Sequence, residues 1–145
     1  MAFLEVNATL LRGPQPDAGD LYTLKARGLR TVVNTREESV ASRAFALRHG
    51  LNYYHIPVTD WSVPAHHQIQ EFLELTDATE NRSLLVHCWG GVGRTGIFVC
   101  CYRFARLDME MQAAIDLSDL ETPHLQMSHV QRQWLHQWAL KNQAP

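Results

Sequence analysis

The chain has 145 residues, 46% of them apolar and 19% charged, the balance of a globular domain long enough to bury a core. A net charge of −2 with no basic block argues against nucleic acid or an anionic membrane surface as partners, and no apolar run is long enough to span a bilayer. Three cysteines (Cys88, Cys100, Cys101) cannot build a disulfide framework, and the eight histidines show no ligand pair at metal spacing, so no metal site is expected.

One domain over residues 1–145 is the expectation from length. Met1 to Leu11 lacks the positive region and apolar stretch of a signal peptide, which makes a reducing, cytoplasmic setting the default. Leu4 to Leu11 reads as one or two short edge strands, and Gly13-Pro14-Gln15-Pro16 as a turn. Asp17 reads as a helix N-cap, with Leu21 and Leu24 on one face and Gly28 as the stop. Leu29 to Asn34 is a predicted strand. Ser39 to His49 is a predicted helix with Val40, Ala44 and Leu47 on its buried face. Leu51 to Val58 follows as a strand and Thr59 to Val63 as a loop. Pro64 is placed at the first position of a helix whose buried stripe is Ile69, Phe72, Leu73 and Thr76.

Asn81-Arg82 turns into a short strand, Ser83 to His87, and a helix from Thr95 to Arg106 is apolar on several faces and therefore central. Asp108 is read as the cap of a helix running through Leu117, Thr122-Pro123 as a break, and Ser128 as the cap of a last helix with Val130, Trp134, Leu135 and Trp138 inward. Alternating strands and helices of this kind predict an α/β fold, a central mostly parallel sheet flanked by helices.

The most informative stretch joins the strand Ser83–His87 to the next helix through Cys88-Trp89-Gly90-Gly91-Val92-Gly93 and arrives at Arg94-Thr95-Gly96. A glycine-rich loop can turn its backbone N–H groups inward, and the helix behind it adds the positive end of its dipole. A thiol at the base of such a loop, near an arginine, is favoured as thiolate. In a parallel sheet the strand ends share one rim, so Asp60, after the strand Leu51–Val58, is expected to face Cys88.

His87-Cys88-Trp89-Gly90-Gly91-Val92-Gly93-Arg94-Thr95-Gly96 resembles the signature H-C-x-x-G-x-x-R-[ST]-G of cysteine-dependent phosphatases, the protein tyrosine and dual-specificity group, with every fixed position filled. Asp60-Trp61-Ser62-Val63-Pro64 resembles the D-x-x-x-P acid loop of the small dual-specificity members. The turn Arg12 to Pro16 and the strand end Val33-Asn34-Thr35-Arg36 are similar to the front of compact bacterial-type members. The resemblance implies a cofactor-free phosphomonoesterase with that family's fold.

The chemistry of the residues agrees. Cys88 is the expected nucleophile, forming a phosphocysteine. The backbone N–H groups from Trp89, Gly90, Gly91, Val92 and Gly93 to Arg94 meet the charge on the equatorial oxygens, and Arg94 adds a two-pronged donor. Asp60 is the expected acid to the leaving group and then base to water. Thr95 is placed to donate its hydroxyl to the sulfur, and His87 to steady the loop by hydrogen bonds. Gln126 is a further candidate, since tyrosine-specific relatives hold a water-positioning glutamine before the last helix, although its surroundings match that loop poorly. Arg36 is read as a structural ion pair, and Cys100 and Cys101 as core. Trp61 and Trp89 are placed either to shape the mouth of the site or to pack.

A Walker-type nucleotide loop would need glycine at 88 and lysine at 94, and a rhodanese-like sulfurtransferase would need neither Asp60 nor the Arg94-Thr95-Gly96 entry. A non-catalytic phosphate-binding module stays open as an alternative. Lipid- and inositol-phosphate-specific members of that group tend to carry lysine or arginine in this loop, whereas Trp89, Gly90, Val92 and Gly93 are uncharged. The resemblance thus implies a phosphorylated protein or peptide as substrate, phosphotyrosine above all with phosphoserine and phosphothreonine weaker, and a phosphoinositide or inositol phosphate as the alternative. Oligomeric state is left open.

Overall fold

In the computed structural model, residues 2–143 are described, so Met1, Ala144 and Pro145 of the expected 1–145 domain lie outside them. The strands are β1 (Leu4–Glu5), β2 (Leu10–Gly13), β3 (Thr31–Arg36), β4 (Asn52–Val58) and β5 (Leu84–His87). The helices are α1 (Ala18–Ala26), α2 (Ala41–Arg48), α3 (His66–Asp77), α4 (Gly93–Arg106), α5 (Met111–Glu121) and α6 (His129–Lys141). The sheet order is β1-β2-β5-β3-β4; β1 pairs antiparallel with β2, and the other three pairings are parallel. The expected mostly parallel sheet is therefore present, with β5 at its centre. β1 forms the edge, but β2 lies inside the sheet between β1 and β5.

Side chains alternate across the pleat and so build two cores. Leu85 and Val32 face α1 and α2, packing with Leu21, Leu24, Leu29, Ala46 and Leu51. Leu84, Val86, Val33 and Leu10 face the other helices, around Phe72, Ile97, Phe98, Ile115 and Leu135. α4 is buried almost throughout and touches α3, α5 and α6. The Phe72 and Phe98 rings meet edge to face at 5.1 Å, locking α3 onto α4.

Local chemistry explains the helix ends. Asp17 accepts the Asp20 N–H at 2.7 Å while Asp20 accepts the Asp17 N–H at 2.9 Å, a reciprocal cap worth roughly 1 kcal/mol. Ser128 and Gln131 close the start of α6 in the same way.

Several expected boundaries and faces shift. α3 begins at His66 rather than at Pro64, because Gln68 accepts the Ala65 N–H and donates to the Pro57 carbonyl, leaving Pro64 in the preceding loop. On α2 the buried residues are Ser42 and Ala46, while Val40, Ala44 and Leu47 are all exposed; the Ser42 hydroxyl is drawn inward by His87. Asp108 takes a left-handed backbone (φ 55°) just past α4 and caps nothing, and α5 runs from Met111 to Glu121. α4 starts at Gly93, two residues before Thr95. On α6 the inward position expected of Val130 belongs to Gln131, and Val130 is exposed.

Candidate active site

The rim at the C-terminal ends of the parallel strands gathers residues from five stretches of chain. β5 delivers His87 and Cys88, and the loop Cys88–Val92 passes into α4 with Gly93 and Arg94 at its start. β4 delivers the loop bearing Asp60, and β3 leads to Arg36 and Glu38. β2 ends in Arg12 and the Gly13–Pro16 turn, and α6 points its first turn at the same rim.

Cys88 is buried, and its Sγ accepts the Gly91 N–H at 3.2 Å. The loop's carbonyls are held from outside. Thr35 Oγ1 donates to the His87 carbonyl (2.8 Å), His87 Nδ1 to that of Cys88 (3.1 Å), the Gln15 N–H to that of Trp89 (2.9 Å), and Arg12 to that of Gly91 (3.0 Å). In a trans peptide the carbonyl and the next N–H point in opposite directions. Holding these carbonyls outward therefore turns the following amides toward the concave side, which makes an anion cradle.

Arg94 is buried beside the cradle. Its two terminal nitrogens fork onto Glu38 at 2.6 and 3.0 Å, one also donates to the Val58 carbonyl (2.9 Å), and the other stands 3.4 Å from Asp60 Oδ1. Its Nε has no hydrogen-bond partner among the described residues, an uncommon state for a buried guanidinium and one that an anion in the cradle would satisfy. Burial works against the Arg94 charge, but the bond to Glu38 and the proximity of Cys88 and Asp60 outweigh it and raise its pKa. The hydrogen bond from Arg94 is the main reason the Glu38 carboxyl is lowered to about 2, against the opposing effect of burial.

His87 is fully buried, and burial lowers its pKa to about 4, so it is neutral at pH 7. Because a carbonyl only accepts, the Cys88 contact assigns the proton to Nδ1, and Nε2 then accepts the Ser42 hydroxyl at 2.8 Å. Thr95 Oγ1 is buried with no hydrogen-bond partner among the described residues; the expected bond to the sulfur is not formed in this structure.

The profile of a family described as "DSP-PTPase phosphatase fused to NAD+ Kinase" matches residues 3–137. The chain belongs to this phosphatase family. It is 38% identical over 74 residues to a tyrosine-protein phosphatase of Autographa californica nuclear polyhedrosis virus, covering 48% of this chain and 44% of that protein. It spans less than half the length of the curated relatives it matches. The fold is similar to that of Tk-PTP in its active form (TM-score 0.82, 20% identity, 97% of this chain and 97% of that one). It is similar to the same degree to PTPMT1 in complex with PI(5)P (TM-score 0.83, 17% identity, 96% and 95%).

In this chain the structure brings Cys88, Asp60, Arg94 and His87 to one rim. Gln126 does not join them: it is exposed and accepts a hydrogen bond from Arg132 at 3.2 Å. The glutamine that reaches the site is Gln131, fully buried on α6. Its Nε2 donates to the Ser62 carbonyl in the Asp60 loop (3.0 Å), and it lies against Gly93, where an added Cβ would be 3.2 Å from its carboxamide. The S-x-x-Q spacing of Ser128 and Gln131 was the available signal. Glu38 and Arg12 also escape the signature: Glu38, two residues past β3, has nothing in its spacing to mark it, and Arg12 stands out only as the start of a turn.

Arg36 pairs with Glu38 at 3.0 Å, donates to Gln15 at 2.8 Å, and lies over the Trp89 ring at 5.0 Å. Trp89 and Trp61 are both exposed beside the cradle, and Trp61 holds a left-handed backbone (φ 61°). Cys100 and Cys101 are buried core thiols, and burial pushes Cys100 up to about 12 and raises Cys101 well above the ordinary thiol range. No helix among the described residues is long and apolar enough to cross a membrane.

Proposed function

We propose that this phosphatase hydrolyses phosphotyrosine in a protein or peptide, with phosphoserine and phosphothreonine as weaker substrates, through a phosphocysteine at Cys88. The observation that carries the reading is the convergence of the Cys88 thiol, the unpartnered Arg94 Nε and the Asp60 carboxyl on one rim, around a loop whose amides face inward. Cys88 thiolate attacks phosphorus and the bond to the leaving oxygen breaks. Asp60, as the acid, gives that oxygen a proton. The cradle amides and Arg94 hold the equatorial oxygens. Asp60 carboxylate then takes a proton from water as it attacks phosphorus, the P–S bond breaks, and the sulfur departs as thiolate beside Thr95.

The substrate preference rests on the side chains at the mouth. Trp61 and Trp89 offer exposed aromatic faces for an aryl ring, and Trp89, Gly90, Val92 and Gly93 supply no cation for further phosphates. The fold similarity to PTPMT1 bound to PI(5)P favours a second reading, a phosphoinositide or inositol phosphate substrate. A turnover panel of phosphotyrosine, phosphothreonine and inositol phosphate esters, with Cys88→Ser as the blank, separates them. Fastest turnover of phosphotyrosine supports the first reading, fastest turnover of the inositol esters supports the second, and phosphate binding without any turnover leaves only a binding module.

A further inference from the structure

Arg12 carries a full charge inside the sheet, yet its side chain is completely buried. One terminal nitrogen donates to Ser118 Oγ (2.8 Å) and Glu121 Oε1 (2.9 Å) on α5, and the other to the Gly91 carbonyl (3.0 Å). Glu121 does not depend on Arg12 for its charge balance, because Arg103 holds both of its carboxylate oxygens at 2.8 Å. A buried ion pair is weak grounds for stability, since well-packed apolar residues often serve a fold as well or better. Of the bonds Arg12 makes that an apolar residue could not, the one that reaches the cradle is the bond to the Gly91 carbonyl.

That carbonyl belongs to the peptide that enters α4. Gly91 sits at φ 77°, with the Gly13 and Pro14 backbone filling the space a Cβ would need, and Val92 is the N-cap residue of the helix. With the Gly91 oxygen tied outward to a guanidinium, the Val92 N–H of the same planar peptide is aimed at the concave side of the loop. A charge-assisted bond fixes that plane more firmly than a neutral one.

We infer that Arg12 is a positioning residue of the phosphate cradle: by holding the Gly91 carbonyl it aims the Val92 N–H at the oxyanion, while its bond to Ser118 braces it from α5. This inference rests on the loop binding phosphate and is the same whichever phosphomonoester it takes.

The test compares Arg12→Lys and Arg12→Met with Glu121→Gln, which disturbs the same buried network but leaves Arg12 to hold Gly91. Lysine keeps a cation beside Glu121, so that variant retains the fold should methionine not. The readouts are kcat and KM on para-nitrophenyl phosphate, tungstate affinity, thermal midpoint, and the movement of the Val92 amide NMR signal on adding tungstate. Arg12→Lys is expected to lower kcat/KM about 30-fold and tungstate affinity about tenfold, by misaiming one oxyanion donor. The Val92 signal then no longer moves, while Glu121→Gln lowers the thermal midpoint but keeps both constants within about threefold of the parent. Arg12 variants that keep the parent's kcat/KM, tungstate affinity and Val92 response, whatever they lose in stability, overturn the inference and make Arg12 structural. A parent that neither turns over the ester nor binds tungstate overturns the phosphatase reading itself, a result distinct from an active parent matched by its Arg12 variants.

Discussion

An alanine at Gly91 would set its Cβ 2.7 Å from the Gly13 carbonyl carbon, 2.8 Å from Pro14 N and 2.9 Å from the Gly13 oxygen. All three are backbone atoms, so no side chain can swing away. The φ of 77° adds the left-handed cost of roughly 1–2 kcal/mol for a residue with a Cβ, and relieving the contact adds roughly 1–3 kcal/mol of overpacking. The expected loss is about 2–5 kcal/mol, a large fraction of a typical domain's stability, or a fall of roughly 6–15 °C in thermal midpoint. The turn that must yield also carries Gln15, whose N–H holds the Trp89 carbonyl, so the cradle loosens as well and kcat/KM should fall about 100-fold or more. Neighbouring Gly90 is the internal control. Nothing lies within 4 Å of a Cβ built there and its φ is not positive, so Gly90→Ala should change stability by less than about 0.5 kcal/mol. Thermal unfolding of both variants, with steady-state kinetics of Gly91→Ala, is the assay. Equal stability of the two, or a Gly91→Ala enzyme within about threefold of the parent, would refute the steric reasoning.

His87 should make stability depend on pH. Its folded pKa of about 4 lies below the ordinary 6.5, so the unfolded chain takes up the proton first, and the stabilisation present above pH 6.5 is lost as the pH falls toward 4. The loss attributable to this one group is about 2 kcal/mol by pH 5, read as the difference in urea unfolding between pH 7 and 5 for the parent against His87→Asn; parallel losses would contradict it. Asp60→Ala should cost alkyl phosphates more turnover than aryl phosphates with good leaving groups, and equal losses count against Asp60 as the acid. Gln131→Met, by freeing the Ser62 carbonyl, should give the same leaving-group signature at smaller size; a uniform loss across esters would show that Gln131 does not act through the Asp60 loop. Glu38→Gln removes the charged half of the Arg94 fork and should lower kcat/KM about tenfold, and unchanged kinetics would show that Arg94 is oriented without it.

The motif-bearing residues were legible because their chemistry is local. Cys88, Arg94 and the glycines lie on one loop, and the strand and helix around them follow from apolar runs and caps. Asp60 was reachable both through topology, since a parallel sheet brings the ends of β4 and β5 to one edge, and through the D-x-x-x-P spacing of Asp60 and Pro64. Glu38 and Ser42 were not legible, and of Arg12 and Gln131 only the turn and the cap were, because the site role of each acts across a tertiary contact between elements far apart in sequence. The misjudged helix faces have the same origin. Ser42 points inward because a buried imidazole needs its hydroxyl, and Gln131 because a loop carbonyl needs its amide, needs that hydrophobic periodicity does not register.

The proposed phosphocysteine is a covalent species, and one measurement reaches it directly. The enzyme is quenched in acid during turnover of para-nitrophenyl phosphate, digested, and its cysteine peptides are sequenced by mass spectrometry. A phosphate adduct on Cys88, and none on Cys100 or Cys101, is the expected result. Turnover with no adduct on Cys88, or undiminished turnover by Cys88→Ser, would contradict it.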